Sequence, residues 1–118
     1  MTKKEYRDKW KKDNPIYMKL HRVMYRRCYK YYKKNGERIG VIITDMLGCS
    51  IYELQTHLED KWVDGMNWEN HGTEWEIDHI IPLSIDDSRD GFIRLNHYSN
   101  LQPLWKEDNR KKSNSVLL

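Results

Sequence analysis

Apolar positions between Asn14 and Gly36 fall at Ile16, Leu20, Val23, Met24, Cys28 and Tyr31, the spacing of one helical face. Asn14 suits the N-cap, Pro15 the first turn and Gly36 the stop, so the pattern predicts a helix over about residues 15–34. A shorter helix over residues 3–12 places Tyr6 and Trp10, four apart, on one face. Ile39 to Leu47 is ambiguous. Val41-Ile42-Ile43 would suit a strand, whereas Gly48 and Ser50 just beyond favour a short helix. Ser50-Ile51-Tyr52-Glu53 has the form of a capping box, and Ile51, Leu54, Leu58 and Trp62 carry the next helix to about Val63, where Asp64-Gly65 ends it.

The rhythm then changes. Met66 to Gly72 reads as a loop holding Asn67, Trp68, Asn70 and His71. Trp75-Glu76-Ile77-Asp78-His79-Ile80 reads as a strand, terminated by Ile81-Pro82. Asp86 to Asn96 begins polar and holds a short helix around Phe92, Ile93 and Leu95, although Gly91 weakens it. Ser99 to Trp105 is a second strand, which Pro103 places at an edge or near a bulge. Lys106 to Ser115 is a final helix, with no β-branched run before Val116. The fold class is therefore α+β, with N-terminal helices followed by a strand–strand–helix unit. No repeat, low-complexity segment or linker divides the chain, and 118 residues suit a single domain.

Charge sharpens this division. Residues 1–38 carry 14 Lys/Arg against 4 Asp/Glu, whereas residues 39–118 carry 7 against 14. A basic first part points to a polyanionic partner. Arg22, Arg26, Lys30 and Lys33, with Lys19, form a stripe on the second helix, interspersed with Tyr25, Tyr29 and Tyr32. Such a stripe suits a phosphate backbone and equally suits a solvated face. With five Trp and eight Tyr but one Phe, many aromatics are expected at half-exposed positions. No apolar run reaches the ~20 residues of a membrane span, and the N-terminus has no apolar signal segment. The expectation is a cytoplasmic protein, of a host cell if phage-encoded, with no membrane partner. Cys28 and Cys49 are expected as thiols.

The acidic second part holds the candidate chemistry. Phosphodiester hydrolysis needs a group that takes a proton from water near neutral pH, as His can. It also gains from a hard cation held by oxygen ligands, which Asp and Asn supply. Asp78 and His79 are adjacent, so they project to opposite sides of a strand, and the strand must end or bend at the pair. Asn100 and Asn109 follow in the next strand and the last helix.

Asp78-His79-Ile80-Ile81-Pro82-Leu83, Ser99-Asn100-Leu101-Gln102-Pro103-Leu104 and Asp108-Asn109-Arg110-Lys111-Lys112-Ser113 together resemble the HNH endonucleases of the His-Me finger group, most of all small phage-type members. The resemblance covers about residues 47–114. It implies a ββα-metal unit, with His79 as the general base, Asp78 and Asn109 as metal ligands, and Asn100 orienting the His-bearing loop through backbone hydrogen bonds. It implies Mg²⁺ or another divalent metal such as Mn²⁺ as cofactor, DNA as partner, and products ending in a 5′-phosphate and a 3′-hydroxyl. Many members hold two CxxC pairs on a structural zinc. Trp105 and Asp108 stand in place of one pair here, so no structural zinc is expected, and Trp62, Trp68, Trp75 and Trp105 must stiffen the unit. Many phage members have His at the position of Glu76, which leaves Glu76 as an added carboxylate near the metal or a surface residue, the latter favoured. His71 and His97 are open between packing and a place near the site. Arg110, Lys111 and Lys112 are expected on the DNA backbone. The chain is thus expected to be one HNH nuclease domain over residues 1–118, with a basic helical DNA-binding part (1–64) and a catalytic part (65–118). It nicks DNA, or cuts both strands given a second site from a homodimer or a phage partner protein. The alternative is a catalytically weak or inactive DNA-binding or packaging module of the same fold.

Overall fold

A computed structural model describes residues 1–115 in backbone and 1–112 in side chain; Val116 lies outside the described residues. Four helices come first: α1 (Lys3–Asp13), α2 (Pro15–Asn35), α3 (Ile43–Leu47) and α4 (Ile51–Glu59). Strand β1 (Trp75–His79) follows. Helix α5 (Arg89–Leu95) then leads into β2 (Leu101–Trp105) and the last helix, α6 (Lys106–Ser115). This is an α+β fold ending in a ββα unit.

Local chemistry sets the helix ends. Pro15 opens α2, and Gly36 closes it in the left-handed region at φ 75°, its N–H donating to Tyr32 O. Ser50 and Glu53 form both bonds of the capping box at α4. The ambiguous stretch resolves as the short helix α3, which buries Met46 and Leu47. The expectation for α4 needs correcting, because the helix stops at Glu59 rather than near Val63. Lys61 N–H turns back to Leu58 O and Trp62 N–H to Glu59 O, and these i→i−3 bonds tighten the chain into turns. They swing Trp62 towards Trp68 and Trp75, whose ring centroids lie 5.3 and 6.0 Å away.

The main core joins both ends of the chain. Leu20 and Met24 of α2 pack with Leu47, Ile51, Leu54 and Leu58, and with Trp75, Ile77 and Leu101 of the sheet. Trp75 is fully buried, and its indole N–H donates to Asn67 O at 2.7 Å. A smaller cluster of Tyr31, Ile39, Met46 and Phe92 packs α5 against the end of α2.

The strands pair antiparallel, with Ile77 opposite Pro103 and His79 opposite Leu101. The bonds Lys106 N to Glu74 O and Ile80 N to Asn100 O bracket the ladder. Counting inward by twos, Glu76–Leu104 and Asp78–Gln102 are the hydrogen-bonded pairs, and Ile77–Pro103 and His79–Leu101 are not. Pro103 therefore costs the ladder nothing. The carbonyls of Ile77, His79 and Leu101 face outward, and each is taken by a side chain from a different helix. Arg27 of α2 donates to Ile77 O (2.5 Å), Lys112 of α6 to His79 O (2.5 Å), and His57 of α4 bonds Leu101 O (2.8 Å). Three helices are thus pinned to the ribbon at the level of the Asp-His pair.

Candidate active site

Alternation along β1 sends Trp75 and Ile77 into the core and turns Glu76 and Asp78 to the other face, under α6. Asn109 and Lys112, three apart on α6, meet them in step. The Asn109 amide contacts the Glu76 carboxylate, and the Lys112 ammonium lies 2.7 Å from Asp78 Oδ2. Gln102, opposite Asp78 in the ladder, donates to the same oxygen at 3.0 Å. Asp78 is 7% exposed, so this carboxylate is deep, and its charge is held by hydrogen bonds and one cation. Asp78 and Asn109 thus share the α6–β1 seam, each bonded to a different partner.

His79 ends the strand, where backbone alternation gives way to the loop. Its Nε2 lies 2.8 Å from Asn96 Oδ1. Asn96 is fully buried, and its amide Nδ2 donates to Phe92 O at 2.8 Å. That second bond fixes the amide: Oδ1 faces the imidazole, so Nε2 carries the proton and Nδ1 is the basic nitrogen. Burial pushes His79 below the ordinary histidine range, and the charge of Arg27 adds to this. The Asn96 bond and the charge of Asp78 act the other way, and Lys112 lowers it further. The net result is a neutral imidazole at neutral pH, the form a base needs.

Asn100 binds the chain on both sides of a gap. Its Oδ1 accepts from Ile81 N (2.8 Å), and its Nδ2 donates to Ile81 O (3.0 Å) and to Leu95 O (2.8 Å). The loop leaving His79 is thereby tied to the end of α5, and Asn100 makes no bond to His79 itself. Glu76 faces Asn109 in the seam, so it is not merely a surface residue. Asn96 and Arg27 were not singled out from the sequence. Asn96 looks like an ordinary helix end, and its role arises from a contact across 17 residues. Arg27 was hidden among the other cations of α2. It is turned inward, its Nη1 is buried with no hydrogen-bond partner among the described residues, and desolvation pushes the guanidinium down to about 10. The nearby charges of Asp78 and Glu76 oppose that fall.

The remaining candidates divide by exposure. Arg22, Arg26, Lys30 and Lys33 all project from α2 into solvent, as do Arg110 and Lys111 from α6. Lys112 differs from its neighbours, since it turns into the fold onto Asp78 and His79 O. His97 caps a tight turn, with Nδ1 at 2.8 Å from Ser99 Oγ. It also packs so closely on Gly48 that a Cβ added there would overlap its imidazole. His71 sits among rings, 4.6 Å from Trp75 and 5.7 Å from Trp68 between centroids.

Among the described residues, no three His, Cys, Asp or Glu side chains cluster as a metal site. The donors that could hold an ion are the carboxylates of Asp78 and Glu76 and the amide oxygen of Asn109. All are oxygens, as Mg²⁺ or Mn²⁺ prefers. The residues present therefore fit a hard divalent ion.

The architecture is thus an α+β chain whose last two strands and helix frame an Asp-His pair and two asparagines. Residues 67–115, the segment that holds all three motifs, match the family model described as HNH endonuclease. The chain is 27% identical to uncharacterized protein L426 of Acanthamoeba polyphaga mimivirus, over 99% of this chain and 52% of that protein. It is 28% identical to uncharacterized protein L246 of the same virus, over 84% and 43% respectively. The chain spans about half the length of the curated relatives it matches. No solved structure matches it.

Proposed function

We propose that the protein is a metal-dependent DNA endonuclease in which His79 is the general base. The observation that carries this reading is the Asn96–His79 bond, made by a fully buried Asn96, which leaves Nδ1 as the basic nitrogen of the residue that follows Asp78 in the chain. His79 Nδ1 takes a proton from water as the water oxygen attacks phosphorus and the P–O3′ bond breaks, and the leaving 3′ oxygen takes a proton from solvent. The products end in a 5′-phosphate and a 3′-hydroxyl. Asp78 and Asn109, with Glu76 as a further carboxylate, would hold Mg²⁺ or Mn²⁺, which supplies charge stabilisation for the phosphate and the leaving oxygen. Asn100 keeps the loop after His79 in place. Arg22, Arg26, Lys30 and Lys33 of α2, with Arg110 and Lys111, carry the DNA backbone, and Lys112 joins them where it leaves Asp78. In this reading residues 1–118 act as one domain, with a DNA platform in 1–64 and the catalytic part in 65–118. Cutting both strands requires a second copy or a partner protein.

One observation favours the alternative of a DNA-binding module without catalysis: the Lys112 ammonium occupies Asp78 Oδ2 at 2.7 Å, an oxygen the metal would need. Plasmid nicking in Mg²⁺, in Mn²⁺ and in EDTA, beside His79→Ala, separates the two. The endonuclease reading expects nicking that needs the metal and falls by at least about 100-fold in the variant. Binding without nicking in either metal would support the alternative, and nicking that persists in His79→Ala would remove His79 as the base.

A further inference from the structure

Helix α2 carries seven Lys/Arg and no Asp or Glu over its 21 residues. Two grooves flank it. One, of about 320 Å³, is lined by Arg27, Lys30, Lys34 and Ser84 among others, and it shares Arg27 with the candidate active site. The other, of about 310 Å³, is lined by Tyr25, Tyr29, Tyr32, Arg38, Val41 and Ile43 among others. The tyrosines of the second groove are not core residues. Tyr25 is 59% exposed, Tyr29 52% and Tyr32 38%, whereas the one Phe of the chain is buried. The Arg38 guanidinium lies over the Tyr32 ring at 5.5 Å, and the Tyr29 and Tyr32 rings are 6.4 Å apart. Tyr25 stands three residues after Arg22, and Tyr29 stands three after Arg26 and four before Lys33. Each exposed ring therefore has a cation beside it on the helix surface.

We propose that this face binds unpaired nucleobases of a nucleic-acid strand, with bases stacked on Tyr25 and Tyr29 and phosphates on Arg22, Arg26 and Lys33. Charge and ring chemistry select the occupant together. Five exposed cations (Arg22, Arg26, Lys30, Lys33 and Lys34) with no acid on the helix call for a polyanion. A closed duplex offers phosphates but covers the flat faces of its bases, whereas an unpaired strand presents both. Spacing agrees. Rings four residues apart recur every ~6 Å along a helix, wider than the ~3.4 Å per nucleotide of a duplex strand. Successive bases reach successive rings only when the strand is unstacked and extended. Lipid headgroups would match the charge but bring no flat ring to the tyrosines. The inference deepens the endonuclease reading and rests on it, by naming a substrate class: DNA with a single-stranded arm or gap.

The test is binding in EDTA, so that it does not depend on cleavage. Fluorescence anisotropy compares a blunt duplex with the same duplex bearing a single-stranded arm, and 2-aminopurine in the arm reports stacking through quenching. The armed duplex is expected to bind about tenfold tighter or better and to quench. Tyr25→Ser with Tyr29→Ser is expected to abolish both effects, leaving blunt-duplex affinity and its salt dependence unchanged. Tyr25→Phe with Tyr29→Phe, which keeps the rings, is expected to retain them; thermal melts check that both variants fold. Equal affinity for both duplexes overturns the proposal. So does an equal loss on both duplexes in the Ser variant, or tyrosine-dependent binding of phosphatidylserine vesicles or of a second copy with no preference for the arm. Tight, tyrosine-dependent binding of the arm without cleavage in either Mg²⁺ or Mn²⁺ would leave this site standing and sink the endonuclease reading alone.

Discussion

His79 has its tautomer set by a residue that touches no solvent. Asn96 accepts from His79 Nε2 and donates to Phe92 O, so its amide has no freedom to turn. Asn96→Ala removes the acceptor and leaves the His79 Nε2–H without a partner, which costs about 1–3 kcal/mol at most, whereas Phe92 O keeps the backbone N–H of residue 96. Turnover is expected to fall by about 10- to 100-fold, against the roughly 10²–10⁴ that a positioned base contributes, with KM little changed. Asn96→Asp keeps the acceptor but adds a charge that raises the histidine, so its pH–rate profile should shift upward. A profile identical to wild type would show that Asn96 only packs. A second histidine makes a prediction about stability. His71 is lowered from 6.5 to about 4, first by burial and then by the charges of Lys19 and Arg27. The unfolded chain takes up a proton below about 6.5, whereas the folded chain refuses it until about 4. The stability this provides is complete above about pH 6.5 and is lost as pH falls towards about 4, by about 1–2 kcal/mol once partial exposure is allowed for. His71→Phe keeps the ring between Trp68 and Trp75, so its melting temperature should fall less between about pH 6.5 and 4.5 than that of wild type. An unchanged acid limb would assign the loss elsewhere.

Among the elements, α6 matters most, because it meets β1 through Asn109 on Glu76 and Lys112 on Asp78. Removing one partner of an enclosed ion pair exposes the cost of the other's burial. Lys112 is 26% exposed in its side chain and Asp78 8%. Lys112→Met is therefore expected to lose about 2–3 kcal/mol in EDTA. If the seam holds a divalent ion, Mg²⁺ should raise the melting temperature of the variant more than that of wild type. Equal shifts would place the metal elsewhere. The elements differ in how plainly the sequence announced them. The limits of α2 were legible because Asn14-Pro15 and Gly36 act on their own turns, and the capping box of α4 is equally local. The class of the site was legible because Asp78-His79, Asn100 and Asn109 keep their order and spacing. What escaped the sequence was decided across the fold. The last turn of α4 was surrendered when Trp62 joined Trp68 and Trp75. Five residues of α3 carry too little periodicity to separate helix from strand. Nothing local told Arg27 from Arg26, or Lys112 from Lys111, although the first of each pair turns inward onto a strand carbonyl.

For the molecule as a whole, the basic helix and the candidate site share the main core. The α2 residues Leu20 and Met24 pack with Trp75, Ile77 and Leu101 of the sheet, and Arg27 ties α2 to β1. In the proposed reading, a strand lying on the exposed side of α2 is therefore held at a fixed distance from His79. Arg26 and Lys30 are both exposed on that side, where a truncated side chain leaves no cavity in the core. Arg26→Ala with Lys30→Ala should therefore keep stability within about 0.5 kcal/mol of wild type. Each phosphate that is no longer neutralised takes ~0.9 from the slope of log affinity against log salt on duplex DNA. The double variant should thus lower that slope by about 2 and weaken binding most at low salt. Turnover on saturating DNA should persist, because His79 and the oxygen seam are untouched. If affinity and slope both stay at wild-type values, the duplex does not run along α2. Arg110 and Lys111 of α6 would then be the cations to vary, and the platform would lie in the catalytic part.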